Sequence, residues 1–138
     1  MNLLEIPFVK RVGIKKSDTG KMELAYTKEV YNHLETICAG AQYTLAETSS
    51  ASYLIELFPQ LEGKVIPVLR DTKLKFKKPA VTKLTAHNSA SDEAVARFKE
   101  SFDKSGRGLI TIDVKLKDEE DSLASSGAYT WYLQKIED

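Results

Sequence analysis

Cysteine is almost absent from this chain: Cys38 stands alone, which excludes an intrachain disulfide and a Cys-rich zinc site and points to a cytoplasmic protein. Histidine is nearly as scarce, with only His33 and His87. Net charge is missing too, because 20 basic residues cancel 20 acidic ones. Nothing in that balance draws the chain to nucleic acid or to an anionic membrane. Long apolar runs are lacking at the N-terminus, where Glu5 and Pro7 interrupt "MNLLEIPFVKRVG", so neither a signal peptide nor membrane insertion is expected. No internal repeat, low-complexity tract or shift of composition marks a linker. At 138 residues, the expectation is one packed domain spanning residues 1–138, with no cofactor and no metal.

What is present is a clear succession of periodic segments. "VKRVGIKK" is expected as a strand, and "SDTGK" as the turn of a hairpin that continues into "MELAYTK", where Met22, Leu24 and Tyr26 recur at period two. The run from Thr36 to Phe58 holds only Glu47 and Glu56 as charged residues. It is too long for a strand and predicts a buried helix ended by Pro59. "KVIPVLRDTKLKFKKPA" alternates Leu74 and Phe76 with Lys73, Lys75 and Lys77, as a strand with one solvated face does. "AVTKLTAHNS" is expected as another. "SDEAVARFKESFDKSG" starts on a capping sequence and spaces Ala94, Val95, Phe98 and Phe102 helically, so it is either a helical insertion or an irregular strand edge. "RGLITIDVKLKD" and "LASSGAYTWYLQKI" are long strands joined by the acidic turn "KDEEDS". Strands, one long apolar helix and about four further strands make an α+β fold, a hairpin-rich antiparallel sheet wrapped around the helix and covering its whole circumference.

The functional question is why that helix carries a carboxylate in its middle. Spacing of about 100° per residue places Glu47 among Tyr43, Leu54, Gly40, Ala51 and Phe58, all apolar or small. Desolvation there raises a carboxyl pKa and makes Glu47 a candidate base or nucleophile. A Glu pointing into solvent or pairing with a strand lysine is the competing reading, and the two weigh about equally. At the helix start, amides near Cys38, Ala39 and Gly40 lack intrahelical acceptors and carry the positive end of the dipole. Small residues there let a thioester carbonyl approach, or simply let the helix pack on the sheet. Asn32 is either a functional side chain or, with Glu35, a cap.

This arrangement resembles the hotdog-fold acyl-CoA thioesterases, most closely their phenylacetate-pathway and 4-hydroxybenzoyl-CoA thioesterase-like branch. That family carries an Asn near the start of the central helix, then His-Gly-Gly, then an Asp or Glu further along. Asn32 matches the Asn, Cys38-Ala39-Gly40 stands in place of His-Gly-Gly, and Glu47 holds the carboxylate position. The resemblance implies a hotdog fold and hydrolysis of an acyl-CoA or acyl-carrier thioester. Glu47, Asn32 and the Ala39 amide would be catalytic, and Cys38, Gly40 and Tyr43 would bind substrate. It also implies a homodimer or a dimer of dimers with each site shared between subunits. Two departures stand out: Cys38 replaces the His and is expected to be a packing residue rather than a nucleophile, since neither histidine is placed to activate it. A Ser or Thr helper in the strand after the helix falls near Leu69. The alternative is a hotdog domain that binds acyl-CoA or an acyl chain without turnover. Dehydratase chemistry fits less well because no His lies on the helix.

Overall fold

The computed structural model describes residues 2–137. Pro7 opens a short helix, α1 (Pro7–Val12), and Gly13 closes it in the left-handed region at φ 93°. The strand expected over "VKRVGIKK" is therefore replaced by a helix over its first half, and only β1 (Ile14–Lys16) is extended. Pro7 presets the first helical φ and Gly13 supplies the positive φ of a C-terminal stop, two signals that outweigh a loose alternation. The hairpin forms as the turn residues dictate: the Ser17 amide donates to the Lys21 carbonyl at 2.8 Å, and β2 (Met22–Leu24) returns beside β1.

The central helix, α2, runs Ala39–Leu57, three residues shorter at its start than the apolar run suggests. Ile37 and Cys38 are held extended because their amides bond outward, to the carbonyls of Ala80 and Val30. Beyond Pro59 follow β3 (Val65–Phe76), β4 (Leu84–Ser89), α3 (Asp92–Ser105), β5 (Arg107–Lys117) and β6 (Leu123–Lys135). The segment left open between helix and strand edge is thus a helix. The Ser91 hydroxyl caps it by accepting the Ala94 amide at 3.0 Å, and its buried Phe98 packs on Phe58 at the end of α2 with ring centroids 4.9 Å apart.

All six strands join one antiparallel sheet in the order β1-β2-β4-β5-β6-β3. Hairpins join β1 to β2 and β5 to β6, β4 reaches β5 through α3, and β3 crosses to the far edge, where it pairs with β6, so the sheet is less hairpin-built than expected. The sheet curls around α2. Burial alternates along β5 as expected, with Ile110, Ile112, Val114 and Leu116 turned to the helix and Leu109, Asp113 and Lys115 to the exposed convex side. Contrary to the expectation of full enclosure, α2 keeps an open strip. Ala39 and Gly40 are exposed, and Tyr43, Glu47 and Ala51 are half-buried, while Ala41, Leu45, Ala46 and Ser49 are buried.

The curl brings strand backbones close together at Gly127 in β6. A Cβ there would run into the Lys73 carbonyl oxygen and lie 2.8 Å from the Leu74 Cα, so no side chain fits without moving the β3 backbone. Gly127→Ala is expected to cost about 3 kcal/mol or more, the upper range of overpacking penalties. A urea midpoint close to that of the wild type would contradict this.

Candidate functional site

The start of α2 is built from a tight loop. Asn32 accepts the amides of Leu34 (2.9 Å) and Thr36 (3.1 Å) on its side-chain oxygen and donates through Nδ2 to the Thr36 hydroxyl at 2.8 Å. Asn32 does not cap the helix, as one of its two readings expected, because Cys38 holds that position; it organises the loop before the helix instead. Cys38 is the N-cap, its Sγ accepting the Ala41 amide at 3.4 Å. No hydrogen bond links either histidine to it among the described residues, and a thiol used in this way fits a packing and capping residue.

The Cys38 amide is taken by the Val30 carbonyl and the Gln42 amide by the Cys38 carbonyl. That leaves the Ala39 and Gly40 amides without a protein acceptor among the described residues, at the positive end of a 19-residue helix. Ala39 and Gly40 are exposed, and a Cβ at Gly40 would meet nothing within 4 Å, so this flank of the helix is open. Asn32, Thr36, Ala39 and Gln42 line a cavity of about 320 Å³ here, closed on its far side by Phe76, Lys77 and Lys78 at the end of β3. An anion or a developing oxyanion is the species such a site stabilises.

Glu47 sits elsewhere on the same strip. Its carboxylate has no hydrogen-bond or ion-pair partner among the described residues, and burial pushes its pKa above the ordinary carboxylate range. One turn earlier lies Tyr43, whose ring is 5.4 Å from that of Tyr129 and whose carbonyl accepts the Tyr129 hydroxyl at 3.1 Å. The Tyr129 phenol is pushed up, first by burial and then by the nearby Tyr43 and Glu47. Of the competing readings, no strand lysine pairs with Glu47 among the described residues, and its side chain is half-buried. Ala39 and Glu47 lie two helical turns apart, about 12 Å along the axis, so one chain cannot bring both to a single carbonyl.

Gln42 is the site residue that pattern reading passed over. Buried beneath the helix start, it accepts the Ser125 hydroxyl at 2.7 Å and donates to the Ile37 carbonyl at 3.2 Å. An uncharged polar residue one turn into an apolar helix was the available signal. Leu69 packs on the core from β3, paired with Trp131 of β6, and offers no donor. Among the described residues no group of three His, Cys, Asp or Glu side chains is placed to hold a metal ion, and no helix is long and apolar enough to cross a membrane.

The Glu47 environment has a measurable consequence. Because its folded-state pKa is raised, the native chain holds a proton that the unfolded chain has released at pH values between the ordinary carboxylate pKa and the raised one. Stability is lost as pH rises through that window. Glu47→Gln, which removes the desolvated charge, should therefore unfold at a higher temperature than the wild type at pH 8, with the gap narrowing as pH falls below the ordinary carboxylate range. Equal melting temperatures at both pH values would place the carboxylate in water.

Comparison with known proteins bears on the fold. A Pseudomonas aeruginosa protein described as of unknown function and a probable thioesterase superposes with a TM-score of 0.80 at 20% identity, over 97% of this chain and 91% of that one. A Haemophilus influenzae thioesterase gives 0.76 at 18% identity over 99% and 88%. A Bacillus halodurans protein crystallised with CoA gives 0.69 at 18% identity over 88% and 72%. No curated protein matches the chain. These neighbours carry the hotdog fold, and the antiparallel sheet curled about α2 is that fold. Residues 5–133 match the family described as "Domain of unknown function (DUF4442)", and the chain is accordingly a member of the DUF4442 family, with the hotdog fold.

Proposed function

We propose that this chain is a cytoplasmic, single-domain hydrolase of acyl-CoA thioesters whose active site is completed by a second copy of itself. The observation that carries the reading is Glu47: a half-buried, unpartnered carboxylate on the open strip of the central helix, with its pKa raised by desolvation. A group kept out of water without a partner costs stability, and a catalytic base is one use that justifies keeping it.

In the proposed reaction, Glu47 takes a proton from a water molecule as the water oxygen bonds to the thioester carbonyl carbon. The carbonyl π electrons move onto oxygen, and that oxyanion is held by the Ala39 and Gly40 amides at the start of the other copy's helix. Collapse re-forms the carbonyl, breaks the carbon–sulfur bond and releases the CoA thiolate, which takes up the proton from Glu47. Tyr43 and Gly40 flank the path of the substrate. Asn32 holds the loop that aims the amides, and Cys38 caps the helix that carries them. Lys77, exposed at the rim of the same cavity, suits the phosphates of CoA.

A shared site also answers the separation of Ala39 from Glu47. Edge strand β3 is 12 residues long, and only Pro67 and a bulge at Arg70 interrupt it. An unpaired edge of this kind is a template for a second copy, which would make the protein a homodimer, with dimers of dimers a further step. Binding of an acyl thioester without turnover is the second reading. It is favoured by Leu69 and Cys38, which supply no strong donor where relatives by resemblance have Ser or Thr and His.

Glu47→Gln should lower acyl-CoA turnover at least about a hundredfold. Ala39→Pro removes one amide at the first helical position, where proline is well tolerated, so the helix should persist while activity falls. Mixing the two variants should restore part of the activity that each lacks alone, because some mixed dimers hold one intact site. No recovery on mixing, with both chains folded and dimeric by sizing, would rule out the shared site; full activity of Glu47→Gln would remove Glu47 from the chemistry.

A further inference from the structure

The open strip of α2 does not end at Glu47. It continues through Ala51, Leu54 and Ile55 into a groove of about 480 Å³ that runs toward Phe58 between the helix and the edge of the sheet. Trp131 and Leu133 of β6 form its floor, and Ile6, from the N-terminal segment, overhangs it. A volume of this size lies within the range of small-molecule sites.

The chemistry of the walls is restrictive. Trp131 is the one wall residue with a side-chain N–H, and that group is already donated to the Ser50 hydroxyl at 2.8 Å. The charged residue among the described lining side chains is Glu62, exposed at the rim. Away from that rim, no other side chain among the described lining residues carries a free polar group, and an unpaired polar group placed there would lose its hydrogen bonds to water. Plain hydrocarbon is the ligand that such walls favour.

The length of the groove is set by the helix. The helical wall runs from Ala51 to Phe58, about 10 Å of axis, and Glu47 lies one turn before it; a thioester held at Glu47 would thus have about 16 Å to the Phe58 end, the reach of an extended acyl chain of roughly twelve carbons. We infer that the groove is the acyl subsite and that the substrate class is a straight-chain, unsubstituted aliphatic thioester of about ten to fourteen carbons, in preference to short or aromatic acyl groups. This inference rests on the proposed role of Glu47, which lies one turn before the groove begins and would hold the thioester there.

The test uses non-hydrolysable thioethers, so that binding is read apart from turnover. Calorimetry with S-dodecyl-CoA, S-butyl-CoA and S-benzyl-CoA should show the dodecyl compound binding at least tenfold more tightly than the other two. Ala51→Trp and Ile55→Trp, which fill the groove from its helical wall, should each remove that advantage while leaving the protein folded by circular dichroism. In parallel, the wild type should hydrolyse dodecanoyl-CoA with a kcat/KM at least tenfold above that for butanoyl-CoA. Equal affinity for the three thioethers, or a dodecyl preference that survives both tryptophan variants, would overturn the inference. Hydrolysis of acyl-CoA with no dependence on chain length would remove the groove and leave the hydrolase standing. Tight, tryptophan-sensitive dodecyl binding with no turnover of any acyl-CoA would keep the groove and remove the hydrolase.

Discussion

The seam between α2 and β6 fixes the rest of the molecule. Three polar side chains of β6, all facing the helix, reach it at three heights: Ser125 to Gln42, Tyr129 to the Tyr43 carbonyl and Trp131 to Ser50. Asn88 of β4 adds a fourth contact, to Ser49 at 2.6 Å. The Ser125 and Trp131 bonds are buried and the Tyr129 and Asn88 bonds partly so, and a rotated helix would strand several donors and acceptors at once. The helix can come this close because its sheet-facing residues are small, Ala41, Ala46, Ser49 and Ser50 among them. Their hydroxyls, and those of Thr44 and Thr48, are satisfied on helix carbonyls or on the sheet. Fixing the rotation of α2 in this way fixes which residues are left over, and those are Gly40, Tyr43, Glu47 and Ala51.

That leftover strip separates two chemical resources along a rigid rod. Unbonded amides stand at one end, and a desolvated carboxylate stands two turns further on. Rigidity is what makes the separation informative, since a helix locked by several buried hydrogen bonds does not fold back on itself to bring the two together. In the proposed enzyme, symmetry does what bending cannot: an antiparallel pair of such rods sets the start of one against the middle of the other. The long unpaired edge of β3 offers the means of pairing, and the open strip offers the room.

Legibility in the sequence followed the strength of the local signal. The strict alternation of "LITIDVKL" gave β5 its faces, and the capping serine with the phenylalanine spacing marked α3 as one of two options, the helix. Glu47 stood out because a long apolar run makes a lone carboxylate conspicuous. Boundaries were harder. The start of α2 depends on amides of Ile37 and Cys38 engaged by residues far along the chain or on the preceding loop, which no window of sequence contains. The move of β3 to the far edge is likewise a long-range outcome, set by pairing with a strand about sixty residues later. Gln42 and the apolar groove were hidden for the same reason: their character comes from what β6 and the N-terminal segment bring against the helix, not from their immediate neighbours. At "VKRVG" the proline and glycine at its borders outweighed the alternation inside it.

The central claim, that the desolvated Glu47 acts as the base in thioester hydrolysis, is tested most directly by the pH dependence of kcat/KM for dodecanoyl-CoA. The account predicts an acid limb governed by a single ionisation above the ordinary carboxylate range, with activity rising as that group loses its proton, and the disappearance of this limb from the residual activity of Glu47→Gln. A profile that is flat across that range, or an acid limb that persists unchanged in the variant, would contradict it.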